Sequence, residues 1–139
     1  MRPGGTLVLD CAGLAGLASG DRVARAAARD IAARGGQVVV AATTLTEVLR
    51  GGPRDATVHR VLKGVTVEPV TAQVARTAGE LLGATGLDGH RCALDALVAA
   101  IARDCPRPVL LLTSDMDDMS ALTDQPEVPR HLRISVHRV

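Results

Sequence analysis

The chain contains no Phe, Tyr or Trp among its 139 residues. Its core must therefore be assembled from Ala, Val, Leu and Ile. Lysine is almost missing as well, Lys63 being the single lysine among sixteen basic residues. Net charge is +1, which excludes the global basic field that gathers polyanions without help from a local site. The arginine bias is permissive for RNA, since guanidinium binds phosphate bidentately and stacks on bases; a genome rich in Arg, Ala and Gly codons accounts for it equally well. The three cysteines, Cys11, Cys92 and Cys105, are an odd number without metal-type spacing, which argues against a disulfide framework and for a reducing, cytoplasmic setting. Met1-Arg2-Pro3-Gly4-Gly5 leads into only four strand-like residues, too few for a signal peptide's apolar region. No apolar run approaches the roughly 20 residues that span a membrane.

What remains is one domain, 1–139, of alternating short apolar runs and helical stretches. Thr6–Leu9 reads as a buried strand ending at Asp10. Ala12–Leu17 reads as a short helix or turn, and Asp21–Arg34 as a helix stopped by Gly35-Gly36. Gln37–Ala41 is a second strand, Thr44–Arg50 a helix stopped by Gly51-Gly52-Pro53, and Asp55–Leu62 another short helix. Val65–Val70 is a third strand and Thr71–Leu82 an amphipathic helix. Arg91–Arg103 is a helix apolar almost all round, Val109–Leu112 a fourth strand, and a short helix runs to about Leu122. Asp124–Arg130 is a loop, and Leu132–Val139 alternates like a half-exposed edge strand. This alternation predicts an α/β fold with a mainly parallel sheet.

Ligands of such sheets bind beyond the carboxyl ends of the strands, where three acidic features fall. Asp10 ends the first strand, Glu47 opens the helix after the second, and Asp115 follows the fourth. Each also has a local explanation. Asp10 suits a helix cap, Thr44-Leu45-Thr46-Glu47 has the form of a capping box, and Asp115, Asp117 and Asp118 suit the positive end of a helix dipole. Asp95, inside the most apolar helix, must be paired, protonated or metal-bound. Arg91, one turn earlier, is its local rival partner. Should the carboxylates converge, two charges about 5 Å apart cost about 3 kcal/mol at an effective dielectric near 20, and a hard divalent cation with oxygen ligands relieves that cost.

Leu7-Val8-Leu9-Asp10, Thr44-Leu45-Thr46-Glu47-Val48-Leu49-Arg50, Asp95-Ala96-Leu97-Val98-Ala99-Ala100 and Leu112-Thr113-Ser114-Asp115-Met116-Asp117-Asp118 resemble, in order and spacing, the motifs of PIN-domain nucleases. In length the chain resembles the VapC toxins of bacterial toxin–antitoxin pairs. The resemblance implies a three-layer α/β/α sandwich with Mg²⁺ or Mn²⁺ held between carboxylates. By position Asp10, Glu47, Asp95 and Asp115 match the family's catalytic and metal-binding quartet, and Asp117 a frequent fifth acid. It further implies an endoribonuclease that cleaves RNA with metal-activated water, forms a homodimer, and is held inactive by a small antitoxin. One departure is Cys11-Ala12, standing where the family often carries a Ser or Thr hydroxyl. The lack of aromatics also removes base-stacking platforms, leaving guanidinium planes and backbone contacts for unpaired RNA.

Arg50, Arg54, Arg60 and Lys63 form a loose basic stretch near Glu47 and are the candidate RNA contacts. Arg22, Arg25 and Arg29 share a helix face that solvation explains as well. His90, Cys92 and Cys11 fit no standard zinc spacing. Two other functions compete. A catalytically inactive PIN-like module binding RNA or protein draws support from the hydroxyl missing after Asp10. A Mg²⁺-dependent phosphoryl-transfer domain wants a lysine beside the phosphate, whereas Lys63 precedes a strand.

Overall fold

The computed structural model describes residues 4–139, so Met1–Pro3 of the N-terminal segment lie outside the described residues. Five strands, β1 (Thr6–Leu9), β2 (Gln37–Ala41), β3 (Thr66–Glu68), β4 (Val109–Thr113) and β5 (Ser135–Arg138), form one sheet in the order β3-β2-β1-β4-β5. Every pairing is parallel. Seven helices connect them: α1 (Cys11–Ser19), α2 (Arg22–Ala33), α3 (Ala42–Val48), α4 (Ala56–Leu62), α5 (Ala72–Thr85), α6 (Ala93–Asp104) and α7 (Met116–Thr123). Single 3₁₀ turns at Pro53–Asp55 and Arg130–Leu132 complete the chain. Among the described residues no helix is long and apolar enough to cross a membrane.

The central strands carry side chains to both faces and bury both, which is why they read as continuous apolar runs. Leu7 and Leu9 of β1 pack with Leu14, Ala24, Ile31 and Val58 from α1, α2 and α4. Val8, between them, packs on the other face with Ala78, Val98 and Met119 from α5, α6 and α7. The result is the expected three-layer α/β/α arrangement. With no aromatic to span the gap, small residues bring the layers together: Ala96, Ala99, Ala100 and Ala102 of α6 are all buried. Gly13 does the same for α1, where an added Cβ would lie 3.1 Å from the Leu112 carbonyl oxygen at the carboxyl end of β4.

Two of the element boundaries that differ from expectation bear on the site. The third helix begins at Ala42, directly after β2, rather than at Thr44. Ala41 makes no side-chain cap, and the chain turns from strand to helix without a loop, so no polar residue marks the start. The first helix is likewise longer than its short apolar run suggested, because Asp10 caps it at once.

β1 is central, and the chain runs outward through β2 and β3 before returning to place β4 on β1's other side. The carboxyl ends of β1 and β4 therefore flank a topological switch point, held together by the Asp10 amide donating to the Leu112 carbonyl at 3.3 Å.

Gly5 starts β1 at φ +87°, and a Cβ there would lie 2.5 Å from the Pro108 carbonyl oxygen. That oxygen accepts the Thr6 N–H at 2.9 Å, so it is fixed. Gly5→Ala is expected to cost about 2–3 kcal/mol in urea unfolding; a loss below about 0.5 kcal/mol would show that this entry into the sheet yields easily.

Candidate metal centre

Asp10 is 4 % exposed, and its carboxylate accepts the Gly13 N–H at 2.9 Å as the N-cap of α1. The Thr113 side chain at the end of β4 lies close enough to the same carboxylate to lower its pKa. Burial nevertheless raises its pKa above the ordinary carboxylate range, and the charge of Asp115 raises it further, against those neighbours. Asp10 is thus a helix cap, as its sequence setting suggested, and its charge also reaches Asp95.

Asp115 caps α7, accepting the Asp118 N–H at 3.4 Å, while its own N–H donates to the Thr113 hydroxyl at 2.9 Å. Asp95 lies in the first turn of α6 and is half-buried. It is therefore not in the middle of an apolar helix, since α6 begins at Ala93 rather than Arg91. Oxygens of Asp95, Asp115 and Asp118 all lie within 4.8 Å of one another. The Asp95 pKa is pushed up to about 6, first by burial and then by the charges of Asp10, Asp115, Glu47 and Asp118. All four of those carboxylates are therefore close enough to be felt at Asp95.

Glu47 lies in the last turn of α3, not at its start, so the capping-box geometry does not form. Its carboxylate lies near the Cys11 thiol, which burial first and then Glu47 and Asp10 push up to about 12.

Two further expectations change. Asp117 is exposed, and Asp118 is the residue grouped with Asp95 and Asp115. Arg91 does not pair with Asp95; its Nη1 lies 3.1 Å from Asp118 Oδ2. That oxygen also takes the Cys92 thiol, at 3.6 Å.

The basic stretch is not a uniform surface. Arg50 folds its guanidinium back onto the carbonyls of Thr46, Glu47 and Leu49 at the end of α3, and its backbone N–H is held by the buried Asp55 carboxylate. Arg54, Arg60 and Lys63 are exposed around the following 3₁₀ turn and α4. Sequence reasoning missed Arg138, whose Nη1 donates to the Ser114 carbonyl beside Asp115.

An all-oxygen donor set, partly withdrawn from water, crowded within 4.8 Å and like-charged, fits a hard divalent cation. It does not fit zinc in a thiolate or imidazole site, because neither Cys11 nor Cys92 joins the group.

No family model matches the chain, and no curated protein matches it in sequence. Solved structures do. A chain of a toxin–antitoxin complex from Klebsiella pneumoniae is 22% identical, with a TM-score of 0.61 over 82% of this chain and 90% of that one. A chain of VapBC2 from Rickettsia felis, bound to a DNA fragment from their promoter, is 10% identical, with a TM-score of 0.62 over 96% and 98%. The fold is the one found in these toxin–antitoxin complexes. It agrees with the resemblance to VapC-type PIN domains carried by the four motifs.

The raised pKa of Asp95 has a direct consequence for stability. A carboxyl whose pKa is higher folded than unfolded makes the folded state bind more protons, so stability rises as pH falls. The window runs from about 6 down to the ordinary value of 3.8. Metal-free protein should gain about 1–3 kcal/mol across that window, unless other groups offset it. Asp95→Asn should flatten this gain and raise stability at neutral pH. Urea midpoints against pH decide it; wild-type and variant curves of equal slope would contradict the assignment.

Proposed function

We propose that this chain is a divalent-metal-dependent endoribonuclease, the toxin of a type II toxin–antitoxin pair. The observation that carries the reading is the gathering of Asp95, Asp115 and Asp118 within 4.8 Å, beside the buried Asp10, at the switch point of a parallel sheet. Structural likeness to chains of toxin–antitoxin complexes supports the biological setting.

Asp95, Asp115 and Asp118 would hold Mg²⁺ or Mn²⁺, with Asp10 alongside. When bound, such a cation supplies Lewis acidity, neutralising phosphodiester charge and acidifying a water. The chain's own groups do the positioning. The Gly13 N–H fixes one oxygen of the Asp10 carboxylate, which orients it toward the site. The Glu47 carboxylate, near enough to raise the Asp95 pKa, would accept the proton of the attacking water. The Thr113 side chain, from β4, puts a hydroxyl near Asp10, where Cys11-Ala12 brings none. The phosphoryl-transfer alternative finds no help from Lys63, which ends α4 ahead of β3. Partners in this reading are an RNA substrate, a small cognate antitoxin and a second copy of the chain.

Incubation of the purified chain with RNA should give cleavage that requires Mg²⁺ or Mn²⁺ and stops with chelator. Asp10→Asn, Asp95→Asn and Glu47→Gln should each lose about 10²-fold or more in rate while remaining folded. A folded Asp95→Asn that cleaves at the wild-type rate would overturn the proposal.

A further inference from the structure

Among the described residues the carboxylates have one cation beside them that is tied to an acid rather than to a carbonyl. Arg91 Nη1 meets Asp118 Oδ2 at 3.1 Å, with the arginine side chain 64% exposed and the aspartate 16%. Arg50 and Arg138, by contrast, spend their guanidiniums on backbone carbonyls. We propose that Arg91 is a phosphate-binding residue parked on Asp118, which exchanges the carboxylate for the RNA backbone once the acidic group takes up its cation. This rests on the metal-dependent reading above and adds a residue and an order of events to it.

Three features carry the exchange. The first is competition for Asp118. It is the member of the acidic group that also holds the guanidinium, so a divalent cation at the group weakens its attraction for Arg91. The second is the low worth of the existing pair. The guanidinium end of the pair is open to water, where such pairs are worth little, so Arg91 leaves it at small cost. The third is a fixed root with a free head. The Asp88 carboxylate takes the backbone N–H of Arg91 at 2.6 Å and of His90 at 3.0 Å, and Cys92 N–H bonds the Asp88 carbonyl at 2.9 Å. Cys92 itself is buried. The segment before α6 is thereby held in place, while among the described residues only Nη1 of the guanidinium has a protein partner. Its remaining donors are open to solvent in the planar fork that matches a phosphate.

The test compares Arg91→Gln with wild type by two titrations. Mn²⁺ binding is read by calorimetry. Binding of a labelled single-stranded oligoribonucleotide of mixed sequence is read by anisotropy across a salt series with Mn²⁺ present, both chains carrying Asp10→Asn so that the RNA survives. Arg91→Gln should bind Mn²⁺ about threefold more tightly, because a competing cation is gone. It should bind RNA about tenfold more weakly, with the slope of log affinity against log salt reduced by about 0.7. Arg91→Lys should restore most of the slope. Unchanged Mn²⁺ and RNA binding in Arg91→Gln would overturn the proposal. Weakening of both together would also overturn it, since Arg91 would then only prop Asp118. A wild-type chain that binds no Mn²⁺ refutes the metal-dependent reading, and the exchange with it.

Discussion

Mutual repulsion among carboxylates is the constraint around which this fold is arranged. Asp10, Asp95, Asp115 and Asp118 are drawn to one end of the sheet and partly withdrawn from water, and the fold holds them there against their own charge. The strain is visible in the direction of their titration: both Asp10 and Asp95 are raised by burial and by neighbouring acids. The Gly13 N–H bond and the nearby Thr113 side chain and Ala12 backbone offset part of it at Asp10. At Asp95 burial and the neighbouring acids together leave the carboxyl poised near neutrality.

The architecture explains how a small chain without aromatics builds such a site. Parallel pairing sends all five strands in one direction, so every strand's carboxyl end contributes to the same edge. Alanine-rich α6 packs closely on the sheet and brings Asp95 in its first turn to that edge. Gly13 lets α1 approach β4 and so fixes Asp10 opposite Thr113. The capping roles of Asp10 and Asp115 are part of the same economy. Each carboxylate offers one oxygen to its helix, and the helix N-termini in turn favour the negative charge gathered there.

Much of this was legible in the sequence. Short apolar runs located the strands, and the rule for parallel sheets placed Asp10 and Asp115 at one edge. Other features were not legible, for physical reasons. Asp117 and Asp118 are adjacent, but one step along a helix turns a side chain by about 100°, so the choice between them depends on the phase that the Asp115 cap sets. The partner of Arg91 lies 27 residues away, whereas the local rule pointed to Asp95 at one turn. The hydroxyl near Asp10 comes from another strand. The form of a capping box at Thr44–Glu47 misled because α3 starts without any cap, straight from β2.

The central claim is that these carboxylates form one metal centre. The most direct measurement is an anomalous difference map from crystals grown with Mn²⁺. The account predicts a peak between Asp95, Asp115 and Asp118, at the Mn–oxygen distance from at least two of them. A well-ordered crystal whose Mn²⁺ lies elsewhere, with this group vacant and Arg91 still on Asp118, would contradict it.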